Sequence, residues 1–154
     1  MTTTLGPAKC EDLPVIFRIL KSNDLPLDGL ADHLGTTLVL REREGVWGSA
    51  ALEIYGTAAL LRSVAVEKKH QHQGYGRRLT NAALTLAREK KITDIYLLTT
   101  TARDFFARLG FRTVERSQVP ALVRDSVEFR SACPATATAM MLELHSNTEH
   151  SDVP

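Results

Sequence analysis

Cysteine is scarce. Cys10 and Cys133 are the only two in 154 residues, too few for a disulfide framework or a cysteine-rich zinc site. An excess of one charge is also missing. Nineteen Lys+Arg stand against 18 Asp+Glu, for a formal net charge of +1, which argues against a nucleic-acid-coating surface or a polybasic membrane anchor. No apolar run reaches the roughly 18 residues of a membrane span, and Met1-Thr2-Thr3-Thr4 lacks the basic stretch and apolar region of a secretory leader. The cytoplasm is the expected location. Internal repeats and low-complexity segments are absent. What remains, 44% hydrophobic and 24% charged, is the composition of a chain that folds. The length suits one domain with a single core, expected over residues 1–144, with a polar, frayed tail over 145–154.

Periodicity divides the chain. Leu13, Ile16, Phe17 and Leu20 fall on one helical face, which predicts a helix over Glu11 to Asn23, with Pro14 tolerated in its first turn. A short helical piece follows around Leu27 to His33. Thr36 to Arg41 reads as a strand. From Val46 to Tyr55 the residues alternate, with Val46, Gly48, Ala50, Leu52 and Ile54 on one face and Trp47, Ser49, Ala51, Glu53 and Tyr55 on the other. Ala58 to Val66 completes an antiparallel meander. A long helix follows, marked by Leu79, Ala82, Ala83, Leu86 and Ala87, then a buried strand at Ile95 to Leu98. Ala102, Phe105, Phe106 and Leu109 predict another helix, with Thr101 and Asp104 resembling a capping box and Gly110 as terminator. Phe111 to Glu115 reads as a strand, Pro120 to Phe129 as a helix and Thr136 to Leu144 as the last strand. The expected fold is a mixed α/β, mostly antiparallel twisted sheet with helices on both faces.

The stretch that carries chemistry runs from Leu60 to Arg78. A strand ends at Val66, and a polar loop delivers Gln71-His72-Gln73-Gly74-Tyr75-Gly76 into the N-terminus of the long helix. Glycine lets backbone N–H groups converge, and the helix end adds unpaired donors and partial positive charge. The pattern makes a seat for a phosphate or diphosphate. A dinucleotide fingerprint would need glycine where Leu79 stands, and a P-loop would need Gly-Lys-Ser/Thr, so both nucleotide readings fail on spacing.

Gln71-x-x-Gly74-x-Gly76, after Val64-Ala65-Val66 and before a helix, resembles the acyl-CoA-binding motif of the Gcn5-related N-acetyltransferase superfamily. Phe105-Phe106-x-x-x-Gly110-Phe111 resembles that family's helix–turn–strand ending, and the order of elements agrees over nearly the whole chain. Leu60-Leu61-Arg62-Ser63-Val64-Ala65-Val66, Glu53-Ile54-Tyr55-Gly56, Leu97-Leu98-Thr99-Thr100-Thr101-Ala102, Arg116, Pro120, Glu128-Phe129 and Cys133-Pro134 together resemble the arsenic-resistance N-acetyltransferases of the ArsN type. The Leu-Leu-Thr-Thr run and the Phe-Phe ending are also similar to the acetyltransferase domain of N-acetylglutamate synthases.

The resemblance implies acetyl-CoA as co-substrate and a small amine as acceptor, an amino acid or an arsenic- or phosphorus-containing analogue of one. It leaves room for a homodimer, and implies no nucleic-acid or membrane partner. Val64, Ala65 and Val66 would pair with the pantetheine arm, the Val64 N–H polarising the thioester carbonyl. Gln71, His72, Gln73, Gly74, Tyr75, Gly76 and Arg77 would hold the diphosphate, with Phe105 and Phe106 against the cofactor or in the core. Lys68 and Lys69 either approach the outer phosphate or form a solvated basic loop.

The acceptor arrives as ammonium and must lose a proton. Glu53 is the candidate base, with Tyr55 on its face; the alternative is an exposed strand residue. Arg62, inside an apolar strand with the same parity as Val64, needs an anion. It binds the substrate's carboxylate, arsinyl or phosphinyl group through its planar fork, or forms an ion pair with Glu53. Arg116, like Arg124, is a further candidate for anion contact. Where many family members carry a tyrosine, this chain has Phe106, which cannot protonate a leaving thiolate; Thr99, Thr100 or water are the alternatives. That departure keeps open a non-catalytic acyl-CoA-binding module, beside a third reading as a protein or peptide acetyltransferase. No metal is expected. The five histidines lack ligand spacing, and trivalent arsenic wants two or three close thiolates, whereas Cys10 and Cys133 lie far apart in sequence.

Overall fold

The computed structural model describes residues 3–43 and 45–144; the tail expected over 145–154 lies outside the described residues. Seven strands form one sheet in the order β1-β2-β3-β4-β5-β7-β6. They are β1 (Thr4–Pro7), β2 (Thr37–Glu42), β3 (Gly45–Tyr55), β4 (Ala58–Val66), β5 (Asp94–Thr99), β6 (Arg112–Thr113) and β7 (Thr138–Glu143). Every neighbouring pair is antiparallel except β4 with β5. The helices are α1 (Leu13–Ser22), α2 (Tyr75–Glu89), α3 (Arg103–Arg108) and α4 (Ala121–Arg124). No helix among the described residues is long and apolar enough to cross a membrane. The expected mixed α/β fold is what forms.

Each face of the sheet has its own core. On one, Leu79, Ala83, Leu84 and Ala87 of α2 pack with Leu40, Ala50, Leu52, Ala59 and Leu61, and Phe106 of α3 joins them. On the other, Ile16, Ile19 and Leu20 of α1 meet Val39, Val46, Ala51 and Ala65, while Val123 of α4 packs on Leu60, Tyr96 and Met141. Of the helical stripes read from the sequence, Ile16, Leu20, Leu79, Ala83 and Ala87 are buried, whereas Leu13, Phe17, Ala82 and Leu86 are half-buried and the buried faces turn to include Ile19 and Leu84. Helix α2 ends where Lys91 turns to φ 65° and Ile92 N–H reaches back to the Ala87 carbonyl at 2.9 Å, closing the orphan carbonyls of the last turn.

Two β-bulges alter the expected alternation. Leu40 pairs with Gly48 but Arg41 with Val46, so Trp47 is an extra residue in β3. Val46 consequently lies in the α1-side core and not on the face of Gly48, Ala50 and Leu52. In β4, Ser49 pairs with Ala65 and Ala51 with Arg62, which inserts one residue at Ser63–Val64, with Ser63 at φ 60°. The shared parity expected for Arg62 and Val64 is thereby broken. Val64 packs with the α2-side core, while Arg62 reaches Glu53 and Glu128. A bulge reverses the side-chain alternation and leaves its extra residue outside the ladder.

Other expectations shift locally. Thr101 and Asp104 make no capping box; the Thr99 hydroxyl instead accepts the Ala102 N–H at 2.9 Å. The strand expected over Phe111 to Glu115 shrinks to Arg112–Thr113, because Phe111 turns into the core. The helix expected over Pro120 to Phe129 is the four-residue α4 followed by a π-helical turn at Glu128–Ala132.

Gly48 lets α2 pack closely on the sheet. A Cβ there would lie 2.8 Å from both the Ala65 carbonyl oxygen and Leu79 Cδ1. Gly48→Ala should cost about 1–3 kcal/mol by overpacking, seen as a lower urea midpoint at unchanged slope. An unchanged midpoint would contradict this account of the contact.

Candidate active site

Strands β4 and β5 pair only over Ala58–Leu60 and Asp94–Tyr96. Beyond Leu60 each keeps its outer partner, β4 running on with β3 to Val66 and β5 with β7 to Thr99. The gap between them is a cavity of about 1010 Å³, large enough for an extended ligand. Residues 61–66 of β4 form one wall and residues 97–102 the other. The α2 N-terminus lies along it, with Phe105, Phe106, Glu128, Cys133, Pro134 and residues 23–26 after α1 completing the lining.

The α2 end of the cavity is built for an anion. Gly74 precedes the helix at φ 84° with no side chain capping it, and the first intrahelical bond there is Arg78 N–H to the Gly74 carbonyl at 3.1 Å. The amides of the first turn are thus left for a ligand. His72 also holds a left-handed backbone, at φ 67°, a strained choice for a residue with a Cβ. The loop is clamped from behind. Gln71 Nε2 donates to Asn23 Oδ1 at 2.9 Å and to the Val66 carbonyl at 3.0 Å, so the Gln71 amide fastens the loop to the end of β4. Trp47, thrown out of register by its bulge, stacks on His70 with ring centroids 3.5 Å apart. His70 borders the cavity, and its Nε2 is buried with no hydrogen-bond partner among the described residues, an unsatisfied polar atom beside the opening. A seat of this kind fits a diphosphate.

Most of the expected cofactor positions lie on the wall: Val64, Ala65, Val66, Gln71, His72, Gly74, Tyr75, Gly76, Arg77, Phe105 and Phe106. Gln73 is exposed and off it, because the turns at His72 and Gly74 carry it to the outside. Phe105 lies 3.5 Å from where a Gly76 Cβ would stand, and Phe106 is also part of the core. Lys68 and Lys69 are exposed and off the cavity; Lys69 lies 3.9 Å from Glu67. They are the solvated loop of the two alternatives. Thr100 borders the cavity, as do Thr99 and Thr101.

The opposite end holds a buried ionic cluster. Arg62, with its side chain 0% exposed, donates from Nη1 to Glu53 Oε2 at 2.8 Å and to the Asp28 carbonyl at 2.6 Å. Its Nη2 reaches the Pro26 carbonyl at 3.2 Å, its Nε the Ser63 hydroxyl at 3.1 Å, and the same Nε lies 3.3 Å from Glu128 Oε2. Four of the five guanidinium N–H groups have protein acceptors, so no free fork remains for a substrate carboxylate. Of the two readings of Arg62, the geometry favours the ion pair. Glu53 is 1% exposed, accepts the Tyr55 hydroxyl, lies 3.6 Å from His33 Nε2 and does not line the cavity. Tyr55 is off the cavity too; burial and the neighbouring Glu53 carboxylate push its phenol well above the usual range. Arg116 is likewise elsewhere. Its Nη2 holds the Pro134 and Ala137 carbonyls at 3.2 and 3.0 Å and its guanidinium lies over Phe129, which pins the segment before β7.

Two carboxylates border the cavity, the exposed Asp24 and the buried Glu128. Desolvation raises the Glu128 pKa from 4.5 to about 7 against the pull of Arg62, with a hydrogen bond from Cys133 favouring the charged form. Burial and the Glu128 carboxylate push the Cys133 thiol up to about 12. Sequence reasoning gave Glu128 no role. The available signal was an acidic residue in an otherwise mixed apolar segment, VEF, too weak to single out before the π-helical turn was seen to carry it beside Arg62. Among the described residues no group of three or more His, Cys, Asp or Glu is placed to hold a metal.

A family model described as an acetyltransferase (GNAT) domain matches residues 33–113, more than half of the chain. An amino-acid acetyltransferase of Neisseria meningitidis is 29% identical over 93 residues, covering 59% of this chain and 21% of that protein. An uncharacterized N-acetyltransferase of Chlorobaculum tepidum is 27% identical over 120 residues, covering 75% and 77%. Among solved structures, N-acetylglutamate synthase from Neisseria gonorrhoeae, complexed with coenzyme A and N-acetyl-glutamate, superposes with a TM-score of 0.81 at 23% identity, over 94% of this chain and 36% of that one. A Mycobacterium tuberculosis protein in complex with CoA gives 0.79 at 23% identity, over 92% and 99%. The chain thus spans only about a fifth of the amino-acid acetyltransferase it matches, and the solved structures share its fold.

The ionic cluster sets two stability tests. Arg62→Met leaves two buried carboxylates uncompensated and should cost about 3–5 kcal/mol at pH 8, read from urea denaturation; a loss below about 1 kcal/mol would show that the cluster is not held by its cation. Glu128 binds its proton more tightly folded than unfolded. Its stabilising contribution is full below pH 4.5 and is lost as the pH rises through about 7. The Tm of Glu128→Gln, measured relative to the unmodified protein, should therefore rise between pH 4.5 and pH 8; a difference independent of pH would contradict the raised carboxyl.

Proposed function

The chain belongs to the acetyltransferase (GNAT) domain family, and from that premise we propose that it transfers the acetyl group of acetyl-CoA to the primary amine of a small, amino-acid-like substrate. The observation that carries the proposal is the cavity between the parted strands. It has an uncapped helix N-terminus at one end, a bulge amide on its wall and a carboxyl group at the other end. The residues present fit coenzyme A. The first-turn amides of α2, with His70 and Arg77 beside them, would hold the diphosphate. The open edge of β4 from Val64 to Val66 would take the pantetheine arm as a strand takes a neighbour. Bound there, acetyl-CoA supplies an activated acyl group. The Val64 N–H, beside the unladdered residue of the bulge, is our candidate to stabilise the oxyanion, a role worth about 3 kcal/mol for one well-placed donor. Leaving-group protonation falls to Thr99, Thr100 or water, since Phe106 has no proton to give.

Support for an amino-acid-like acceptor comes from the likeness to amino-acid acetyltransferases. The crowded guanidinium of Arg62 means that an acceptor's anionic group, carboxylate or arsinyl or phosphinyl, would be met by its one spare N–H and by backbone amides. An arsenic- or phosphorus-bearing analogue is the finer form of this proposal, and the cytoplasm the location it expects.

Two measurements test the reading. Calorimetry should show saturable CoA binding, weakened tenfold or more by Gly74→Val, which forces a β-branched side chain to φ 84°. Acetyl-CoA with a thiol reagent and a panel of amino acids, arsenic and phosphorus analogues and peptide N-termini should show thiol release with the compact amines. Binding without release from any amine would favour a sensing module; release with peptides alone would favour a peptide acetyltransferase.

A further inference from the structure

The acceptor amine arrives protonated, and the site must offer one base that touches it. Two buried carboxylates compete for that role, and their surroundings differ. Glu53 is enclosed: Arg62 Nη1 on one oxygen, the Tyr55 hydroxyl and His33 on the other, and no surface on the cavity. Glu128 has the weaker partners, Arg62 Nε at 3.3 Å and the Cys133 thiol, and it borders the cavity. One guanidinium serves two carboxylates, and it is more fully committed to Glu53. The proton that relieves the surplus negative charge therefore settles on Glu128, and that charge, when the proton leaves, attracts an ammonium into this end of the cavity.

We propose that Glu128 is the catalytic base that accepts the proton of the acceptor ammonium, and that Glu53 is a positioning residue that fixes Arg62 beside it. The assignment rests on the acetyl-transfer reading. In the step, an N–H bond of the ammonium breaks and an O–H bond forms on Glu128. The freed nitrogen lone pair attacks the thioester carbonyl carbon, and the C–S bond breaks with its electron pair on sulfur. A second amine proton reaches that sulfur, relayed by Thr99, Thr100 or water, and Glu128 returns its own to solvent. The balance is ammonium plus acetyl-CoA to amide, CoA thiol and one proton. The groups facing Glu128 are Arg62 from β4, Glu53 from β3, Asp28 from the loop after α1 and Cys133 from the end of its own turn. Arg62 and Cys133 favour the carboxylate; Glu53, Asp28 and burial oppose it. The π-helical turn that begins at Glu128, closed by Cys133 N–H to the Glu128 carbonyl at 3.1 Å, is the irregularity that aims it, and such turns recur at functional sites.

The test is the pH profile of kcat/KM from pH 5.5 to 9.5 with the best amine of the panel, on the full chain. The unmodified protein should show an acidic limb near pH 7, where the free enzyme's base titrates. Glu128→Gln should lose at least 100-fold in kcat and lose that limb, with CoA affinity unchanged. Glu53→Gln should keep the limb and move it to lower pH, since one opposing charge is gone. Cys133→Ala should keep it and move it to higher pH, since a donor to the carboxylate is gone; this thiol replacement also serves should Glu128→Gln not fold. A Glu128→Gln enzyme that retains its rate and its limb, or a limb that vanishes with Glu53→Gln instead, overturns the assignment while acetyl transfer stands. A fixed limb in Cys133→Ala overturns it as well. A folded, CoA-binding protein that acetylates no amine overturns the acetyl-transfer reading, and this assignment with it.

Discussion

The parting of β4 from β5 is the constraint on which the site depends. A parallel pair that stayed zipped from Ala58 to Val66 would leave no room between the strands. Here pairing stops at Leu60, while each strand keeps its outer neighbour. The backbone groups on the gap side are left without a strand partner, and because such groups are expensive when buried unpaired, the opening is a place for a ligand or water to hydrogen-bond. The bulge at Ser63–Val64 comes just after the split. It turns Arg62 towards the buried carboxylates and Val64 towards the α2 face, so neighbouring residues of one strand serve two different ends of one cavity.

Charge follows from the same geometry. At the α2 end, the uncapped backbone amides of the helix start border the opening, with His70 and Arg77 beside them. At the other end, two acids share one arginine. An anion is drawn to the first end and a cation to the second. On the proposed reading, these two ends of one cleft would receive a long anionic donor and a small ammonium. Burial raises the stakes at the acidic end, because a carboxyl in a low-dielectric pocket shifts towards neutrality.

Particular residues show which parts of this were readable beforehand. The stripes Leu13-Ile16-Phe17-Leu20 and Leu79-Ala82-Ala83-Leu86-Ala87 repeat locally, and helices form where they fall. The glycine-flanked corner before α2 is likewise a local signal, since Gly74 takes the left-handed conformation its spacing suggests. Val46 and Arg62 were placed on the wrong relative faces because alternation presumes an unbroken ladder, and neither bulge leaves a mark in composition. Tyr55 was a candidate through the strand face it shares with Glu53, and Arg116 as an anion contact. The structure pairs them with Glu53 and with the carbonyls of Pro134 and Ala137, away from the cavity lining, and for Arg116 those partners lie 18 and 21 positions along the chain.

The sequence by itself determined the two long helices, the β2–β4 meander and the glycine-flanked corner before α2, because propensity, periodicity and glycine placement act over a few neighbouring residues. Only the tertiary structure decided which charges stay paired and which carboxyl meets the cavity. Glu53, Arg62 and Glu128 come together from three separate segments, and the difference between an enclosed acid and an accessible one is a matter of a few ångströms of packing that no short stretch of chain encodes.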